Sequence, residues 1–277
     1  MTVQVCLTFD FDALSLWLAR GATTPGPLSR GEFAAEAVDR ILGLLERRRV
    51  KATFFVPAHT VQTYPDSCRA IVDAGHEIGL HGDRHENVST LDYREELGIN
   101  EKSIALITQL TGTRPLGHRT PSFDFSPHTV PVLEEIGITY DSSLMGSDFF
   151  PYLLRGGGTD WIGSAYEFGE PTTVVELPVS WTLDDYPHLE FYRSVDWVMP
   201  GLQDPRGMFD VFFEDVRFAH EEFEDPVVTV TLHPEVVGRG ARLRALDEFI
   251  VRTMDLGAEF RRCDAVALDR LHDLTAT

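Results

Sequence analysis

The chain of 277 residues contains two histidines in the stretch "HGDRH", His81 and His85. Two imidazoles at this spacing can bind one ion when they lie one helical turn apart. The same spacing also occurs in exposed or helix-capping histidines, so the pair alone does not define a metal site. Its interpretation depends on which other polar residues the fold brings beside it.

Two aspartates near the N-terminus are a second candidate. "LTFDFD" places Asp10 and Asp12 two residues apart, and in an extended strand such side chains lie on the same face. Burying two carboxylates on one face is unfavourable unless a cation or hydrogen-bond donors meet them. If the strand has already ended, both are simply solvated. One Asp combined with two His would supply a ligand set that leaves open positions for water and substrate.

A third histidine, His233, follows the apolar run in "TVTLHPE" and is either a hydrogen-bonded core residue or part of a site. Arg119 follows another short strand pattern, and Asp184 and Asp185 follow a further one. In parallel α/β folds the carboxyl ends of the strands form one rim, where active sites are built. The sequence therefore predicts that these polar residues meet, although they are far apart in the chain.

Strand and helix patterns alternate along the rest of the chain. Strands are predicted in "VQVCLTFDF", "KATFFVPAHTV", "HEIGLH", "VVELPV" and "PVVTVTLH", whereas "GSDFFPYLLRGGGTDW" is predicted to be a Gly-rich loop and "ARLRALDEFIVRTMDLG" the last helix. Such alternation implies right-handed crossovers and a parallel sheet. About seven repeats favour a barrel over an open sheet. With no linker or repeat visible, a single domain over residues 1–277 is the simplest prediction.

Composition excludes several partners. The chain has 24 basic and 44 acidic residues, a net charge of −20, which repels nucleic acid and anionic membranes. The sequence contains no run of about 18 apolar residues, so no membrane span is predicted. The start "MTVQVCLTFDFD" lacks the features of an export signal, which predicts a cytoplasmic protein. Cys6, Cys68 and Cys263 are too far apart to indicate a disulfide framework, and Cys6 is expected in the core.

Five motifs in a fixed order make the chain resemble the NodB-type polysaccharide deacetylase family, the carbohydrate esterases that act on N-acetyl groups. The motifs are "LTFDFD", "HGDRH", "HRTPSF", "SWTLDDY" and "TLHPE", with "VKATFFV" between the first two. The resemblance extends from Thr8 to about Leu243. It implies an α/β fold, a deformed (β/α) barrel of about seven parallel strands, and a divalent metal, usually zinc (Zn²⁺), with Co²⁺ or Mn²⁺ as alternatives.

The resemblance also implies a role for each residue of the metal side. Asp12, His81 and His85 would be the metal ligands. Asp10 would be the general base that activates the attacking water, and Arg119 would keep that carboxylate ionised and oriented. An ion held in this way lowers the pKa of water toward about 7 and polarises the amide carbonyl.

The resemblance also implies an acid on the side of the tetrahedral intermediate opposite the base, and an oxyanion donor alongside the metal. His233 would be the general acid that protonates the leaving amine, and Asp184 or Asp185 would tune it. A main-chain amide near Ser122 or Phe123 would donate a hydrogen bond to the oxyanion.

Departures from the family pattern point to a subgroup. Phe11 separates two aspartates that are usually adjacent, so Asp10 and Asp12 could exchange the roles of base and ligand. Gly82 replaces a hydroxyl residue, and a long insert, "ALSLWLARGATTPGPLSRGEF", follows the first motif. These features resemble intracellular peptidoglycan deacetylases, allantoinase-like ureide hydrolases and cyclic imide hydrolases. That subgroup forms homotetramers with closed sites, so we expect a homo-oligomer, with "SDFFPYLL" and "SWTLDDYPHLEFY" capping the site.

Four functions are compatible with these patterns. The leading one is a metal-dependent hydrolase of a non-peptide C–N amide bond that deacetylates an N-acetylated sugar. Hydrolysis of a small cyclic amide or ureide is the alternative within the family. A non-catalytic barrel that binds sugar or metal belongs to a different class. An iron oxygenase could use the same Asp-His-His set, but it gives Arg119 and His233 no joint role.

Overall fold

The computed structural model describes residues 2–157, 165–193 and 198–275. The strands are β1 (Gln4–Asp10), β2 (Thr53–Val56), β3 (Glu77–Leu80), β4 (Gly117–His118), β5 (Tyr140–Asp141), β6 (Tyr152–Gly156), β7 (Glu170–Glu176), β8 (Phe191–Arg193), β9 (Val198–Pro200), β10 (Val227–Leu232) and β11 (Glu259–Arg261). The helices are α1 (Ser15–Ala19), α2 (Pro25–Arg48), α3 (Ala58–Thr63), α4 (Pro65–Asp73), α5 (Tyr93–Thr111), α6 (Thr129–Glu135), α7 (Asp185–Leu189), α8 (Pro205–Glu222), α9 (Pro234–Val237), α10 (Gly240–Asp255) and α11 (Cys263–Thr275).

One large, curled sheet organises the fold. Its strand order is β10-β1-β2-β3-β4-β5-β7-β6, and β11 pairs with the first half of β1. Within the described ranges, every neighbouring pair in this sheet is parallel except β6 and β7. The path from β10 to β7 therefore contains seven parallel strands. The predicted deformed (β/α) barrel is confirmed.

The central strands are enclosed on both faces, which explains their nearly continuous apolar sequences. All residues of β1 and β10 are buried. Helix α2 packs against the core through Ala34, Val38, Ile41 and Leu45, which recur at the three- and four-residue spacing of one helix face. Because the strands have no solvent-facing side, charged side chains concentrate where the strands end.

A short pairing beside β10 brings the fourth motif to the same rim. Asp184 forms an isolated parallel bridge with Thr231 of β10. Helix α7 begins at the next residue, Asp185. The segment around Asp184 and Asp185 therefore lies next to His233, which follows β10 directly.

Three segments differ from the sequence prediction. The strand predicted over "KATFFVPAHTV" ends at Val56, because Pro57 has no amide to donate to a strand pairing, and α3 begins at Ala58. The segment predicted as a Gly-rich loop contains β6, which pairs antiparallel with β7; its residues 158–161 lie outside the described residues. The helix predicted to be the last, α10, is followed by β11 and α11.

Cys6, Cys68 and Cys263 are buried and unbridged, and Cys6 lies within β1 in the core, as predicted. None of the helices in the described parts of the chain combines the length and the apolar character needed to cross a bilayer.

Gly117 in β4 is required by the close approach of a neighbouring aromatic ring. A Cβ atom added at Gly117 would lie 2.0 Å from Cζ of Tyr140, whose side chain is buried and donates a hydrogen bond to Glu77. The Gly117→Ala variant is therefore expected to lose about 1–3 kcal/mol of unfolding free energy, with a melting temperature lower by about 2–10 °C. Thermal and urea unfolding would measure both quantities.

Gly98→Ala is the matched control for this prediction. Gly98 lies in α5, and a Cβ atom there would meet nothing within 4 Å. Alanine at an open helical position is expected to leave stability unchanged or to raise it by about 0.5–1 kcal/mol. Equal stability of the two variants would contradict the steric argument for Gly117.

His76 makes the stability of the fold depend on pH. The side chain is 5% exposed, and its Nδ1 accepts a hydrogen bond from the Ala52 amide at 3.1 Å. Burial, aided by the charges of Lys51 and Arg262, lowers the pKa of His76 to about 4. Between pH about 6.5 and 4 the unfolded chain therefore binds a proton that the folded chain does not. We expect stability to fall by about 2 kcal/mol as the pH is lowered through this window.

The His76→Asn variant isolates this effect, because the Asn carbonyl oxygen can accept the Ala52 hydrogen bond without titrating in this range. Urea unfolding at pH 7.5 and pH 4.5 is expected to show a smaller loss in the variant than in the parent protein. An identical loss in both would assign the pH dependence to other groups.

Candidate metal centre and active site

The predicted site residues meet at the rim formed by the carboxyl ends of the parallel strands. Asp10 is the last residue of β1, and His81 follows β3. Arg119 follows β4, and His233 follows β10. Since these strands are neighbours in one curled parallel sheet, their ends converge, as the sequence predicts.

Asp12, His81 and His85 form a compact cluster. Oδ1 of Asp12 lies 3.3 Å from Nε2 of His81, and Oδ2 of Asp12 lies 3.5 Å from Nε2 of His85. The sequence argument placed the two histidines one helical turn apart, but in the structure they do not lie on a helix. A tight turn joins them, with Gly82 and His85 in the left-handed region at φ of 69° and 60°. The turn, rather than a helix, directs both rings at Asp12.

The atoms of this cluster that face each other are all hydrogen-bond acceptors, which a bound cation would stabilise. Nδ1 of His81 lies 2.9 Å from the carbonyl oxygen of Arg119 and donates to it, so in the neutral ring Nε2 presents a lone pair. Both carboxylate oxygens of Asp12 and Nε2 of His81 are buried without a hydrogen-bond partner among the described residues. Such atoms are costly to bury unpaired. One oxygen and two nitrogen ligands within 4.8 Å of one another fit a divalent ion such as Zn²⁺.

The electrostatics of the cluster also favour positive charge. Burial opposes ionisation of Asp12, but the facing His85, His81 and His233 lower its pKa well below the ordinary value. Burial lowers the pKa of His85 to about 4, so this ring is neutral and able to ligate. For His81, burial is outweighed by Asp10 and Asp12, which raise its pKa. The carboxylates therefore stabilise a cation beside His81, and a metal ion can replace the proton.

Asp10 is held by a buried arginine. Nη1 of Arg119 donates to Oδ1 of Asp10 at 2.8 Å and to the Thr8 hydroxyl at 2.8 Å. Nε and Nη2 donate to the carbonyl and the hydroxyl of Ser142 at 2.8 and 2.9 Å, and the guanidinium stacks 4.2 Å from the centre of the Phe55 ring. These contacts fix the Arg119 side chain, which in turn orients the carboxylate of Asp10.

His233 is oriented by two aspartates of the fourth motif. Its Nδ1 donates to Oδ1 of Asp185 at 2.8 Å, and its amide donates to Oδ2 of the same residue at 3.2 Å. Asp184 is more distant, at 3.7 Å from Nδ1. Burial would lower the pKa of His233, but Asp184 and Asp185 together raise it well above the ordinary value. Nε2 of His233 points toward Oδ2 of Asp12, 3.9 Å away.

Asp184, Asp185 and His233 also lie within 4.8 Å of one another, yet they fit a metal less well. Three of the four carboxylate oxygens already accept hydrogen bonds: Oδ1 of Asp184 accepts from the Tyr186 amide at 2.7 Å, and both oxygens of Asp185 accept from His233. Burial raises the pKa of Asp184 to about 7. This group is better explained as the support of His233.

A cavity of about 220 Å³ lies directly over the cluster. Its polar lining includes Asp10, Asp12, His85, Asp184 and His233. Its remaining walls are formed by Leu16, Arg20, Ser122, Phe123, Trp181, Tyr186, Pro187 and Met199. The cavity therefore gives a small substrate access to the cluster and to the candidate base and acid at once.

The two segments expected to cap the site behave differently. "SWTLDDYPHLEFY" contributes Trp181, Tyr186 and Pro187 to the cavity wall, and the Trp181 and Phe123 rings lie 4.8 Å apart between centres. Residues of "SDFFPYLL" line a separate cleft with Met145 and Asp215, so they do not cap this cavity.

Comparisons with known proteins decide the family. The sequence profile described as polysaccharide deacetylase matches residues 4–140. A peptidoglycan deacetylase from Helicobacter pylori is 34% identical over 251 residues, which cover 86% of this chain and 85% of that protein. The chain belongs to the polysaccharide deacetylase family. It is accordingly a hydrolase that acts on C–N amide bonds, and not an iron oxygenase.

Solved structures agree with this assignment. A crystal structure from Mycobacterium smegmatis, assigned to the polysaccharide deacetylases, superimposes with a TM-score of 0.86 at 32% identity and covers 99% of this chain and 92% of that one. The structure of Puue allantoinase gives a TM-score of 0.75 at 24% identity over 96% of this chain and 89% of its own. At that identity the second comparison shows a shared fold alone.

Part of the cavity wall is formed by residues outside the five motifs. Arg20 and Leu16 come from the long insert, and Met199 comes from β9. The insert follows β1 on the side where the site forms, which is the one signal in the sequence that points to Arg20 and Leu16. No spacing pattern indicates Met199.

Proposed function

We propose that this protein is a metal-dependent hydrolase that removes the acetyl group from an N-acetylated sugar. The observation that carries the proposal is the buried Asp12–His81–His85 cluster, whose ligand atoms lack hydrogen-bond partners among the described residues. The cluster lies between a carboxylate held by arginine and a histidine held by aspartate. This arrangement supplies a base and an acid on two sides of one small cavity.

The proposed metal is Zn²⁺, with Co²⁺ or Mn²⁺ as alternatives. Two imidazole nitrogens and one carboxylate oxygen are ligands that zinc takes readily in catalytic sites with an open position. When bound, the ion would polarise the acetyl carbonyl and lower the pKa of the attacking water.

Asp12 is the proposed carboxylate ligand and Asp10 the proposed base. Asp12 lies closer to both histidine Nε2 atoms, at 3.3 and 3.5 Å, whereas Asp10 lies 3.7 Å from His81 and is bound by Arg119. Arg119 donates a 2.8 Å hydrogen bond to Asp10, whose carboxylate lines the cavity, where it can take a proton from the attacking water.

His233 is the proposed general acid. Asp185 holds Nδ1, which leaves Nε2 facing the cavity, and the aspartates favour the protonated ring. The protonated ring can then deliver its proton to the nitrogen of the leaving amine as the C–N bond breaks. Asp185 is the main positioning residue, because it makes the 2.8 Å hydrogen bond, and Asp184 adds charge.

The Ser122 amide is the better of the two proposed oxyanion donors. The Phe123 amide already donates to the Thr120 carbonyl at 3.2 Å, which closes the turn. Ser122 and Phe123 both adopt the left-handed region, at φ of 58° and 53°, and both line the cavity. A strained turn at the wall of a site can hold a backbone N–H in a fixed direction.

A second candidate substrate is a small cyclic amide or ureide. The cavity of about 220 Å³ is smaller than most ligand pockets, and Leu16, Trp181 and Tyr186 narrow it. A cleft of about 550 Å³ adjoins it and gives room for a sugar, which favours the first candidate.

We also propose a cytoplasmic homotetramer, on the basis of the motif resemblance, and light scattering would test the tetramer.

Elemental analysis combined with a hydrolysis screen tests the proposed function. The purified protein is expected to hold about one zinc or similar ion per chain, and chelation should abolish hydrolysis. The substrates are N-acetylglucosamine oligomers, allantoin and cyclic imides, with release of acetate or acid as the readout. Acetate release would support the sugar deacetylase, and ring opening would support the second candidate. Metal without hydrolysis of any substrate would favour a non-catalytic binding protein.

A further inference from the structure

Arg20 lies at the junction of the catalytic cavity and the larger adjoining cleft. It follows α1 and lines both spaces, as do His85 and Ser122. The cleft of about 550 Å³ is bounded further by the turn that carries His85 and by the residues after it, including Asn87 and Thr90. A substrate that extends from the scissile amide into the cleft must therefore pass the Arg20 side chain.

Two buried aromatic side chains hold Arg20 in place. Nη1 of Arg20 donates to the Tyr186 hydroxyl at 3.2 Å, and Cζ lies 5.6 and 5.7 Å from the centres of the Tyr186 and Trp17 rings. The Trp17 side chain is only 1% exposed and belongs to α1, so it provides a fixed surface. Such stacking orients the planar guanidinium before a ligand arrives, which lowers the entropy lost on binding.

Arg20 lines both spaces and offers a positive charge to an anionic group of a substrate. The protein carries a net charge of −20, which disfavours anions at most of its surface. The cleft is lined by two arginines, Arg20 and Arg84, and by two carboxylates, Glu86 and Asp124. Glu86 already accepts hydrogen bonds from the Asp83 and Arg84 amides, and Asp124 accepts one from the Phe125 amide.

We propose that Arg20 binds a carboxylate of the substrate and makes this site prefer amides that carry a negative group on the cleft side of the scissile bond. A guanidinium presents paired N–H donors whose geometry matches a carboxylate. The proposal rests on the proposed hydrolase function and narrows its substrate class. The carboxylate can belong to an acidic N-acetylated sugar or to an acidic ureide, and the two sources share this chemistry.

Matched acid and ester pairs test the proposal. One pair is N-acetylmuramic acid and its methyl ester, and the other is hydantoin-5-acetic acid and its methyl ester. Within at least one pair the parent protein is expected to have a kcat/KM about 10- to 100-fold higher for the acid. Arg20→Gln should bring the acid-to-ester ratio of kcat/KM close to one by slowing the acid much more than the ester, and Arg20→Lys should restore part of the ratio. The pair that responds identifies the source of the carboxylate.

Arg69→Gln is the matched control, because Arg69 lies on α4 and pairs with the exposed Asp66 away from both cavities. It should leave the acid preference intact. Binding of each acid and ester by calorimetry separates this proposal from the proposed function. Tighter binding of an acid that depends on Arg20, without hydrolysis, would support the carboxylate site and contradict the enzyme. Equal affinity and equal kcat/KM for acid and ester in the parent protein would overturn the role of Arg20.

Discussion

His81→Ala is expected to abolish metal binding and hydrolysis together. Nε2 of His81 lies 3.3 Å from Oδ1 of Asp12, so its loss leaves one imidazole and one carboxylate for the ion. If each ligand supplies about a third of an ion-binding free energy of about 10 kcal/mol, affinity should fall by a factor on the order of 100 or more. Residual activity should then be below about 1%. Elemental analysis and kcat/KM on the same sample would measure both.

Two further variants distinguish the loss of a metal ligand from a general loss of structure. Alanine at position 81 also removes the hydrogen bond to the Arg119 carbonyl, so Asp12→Asn, which keeps the side-chain shape, should lose the metal as well. His128→Ala is the matched histidine control, since His128 lies before α6 and contacts Tyr93, outside the cavity lining. Stoichiometric metal in a folded His81→Ala protein would show that the ligand assignment is wrong.

The sequence predicts the fold and the meeting of the site residues because both follow from strand patterns. Buried parallel strands are nearly continuous apolar runs, and polar residues such as Asp10 and His233 appear where these runs end. Helix ends follow similarly local rules: Gly112 ends α5 in the left-handed conformation, at a φ of 75°, which glycine adopts without strain. Parallel pairing then brings the strand ends to one rim, whatever the length of the intervening chain.

The elements that the sequence did not predict are short and depend on tertiary contacts. β11 pairs over only three residues with β1, and β6 is formed as the antiparallel partner of β7 rather than by a repeat of the strand–helix pattern. The turn between His81 and His85 has no helical period, because it is set by the left-handed conformations of Gly82 and His85. Short elements contain too few residues for a periodic pattern.

Roles within the site also depend on distances that spacing does not encode. Asp10 and Asp12 are equivalent in the sequence, and a difference of less than 1 Å from His81 separates the proposed base from the proposed ligand. The side chain of Arg20 reaches the cavity because Trp17 and Tyr186 support it, and those two residues are far apart in the chain. Contacts of this kind appear only once the chain is folded.

His233→Ala is expected to keep the metal and lose most of the amide hydrolysis. Nε2 of His233 lies at the cavity, 3.9 Å from Oδ2 of Asp12, which is longer than the contacts of the two histidines proposed as ligands. Removal of a general acid typically lowers the rate by about 10²- to 10⁴-fold. The measurement is kcat/KM on an N-acetylated sugar together with metal content. A near-normal rate would remove His233 from the acid role.

The leaving group separates lost acid catalysis from a damaged site. An amine leaves poorly without a proton, whereas the phenolate of 4-nitrophenyl acetate leaves without one, so the ester rate should fall by less than about tenfold in His233→Ala. Asp185→Asn should show the same pattern more weakly, because the 2.8 Å hydrogen bond that orients Nδ1 loses its charged acceptor. Since a distorted metal site would slow both substrates alike, equal losses on amide and ester would assign His233 to structural support instead.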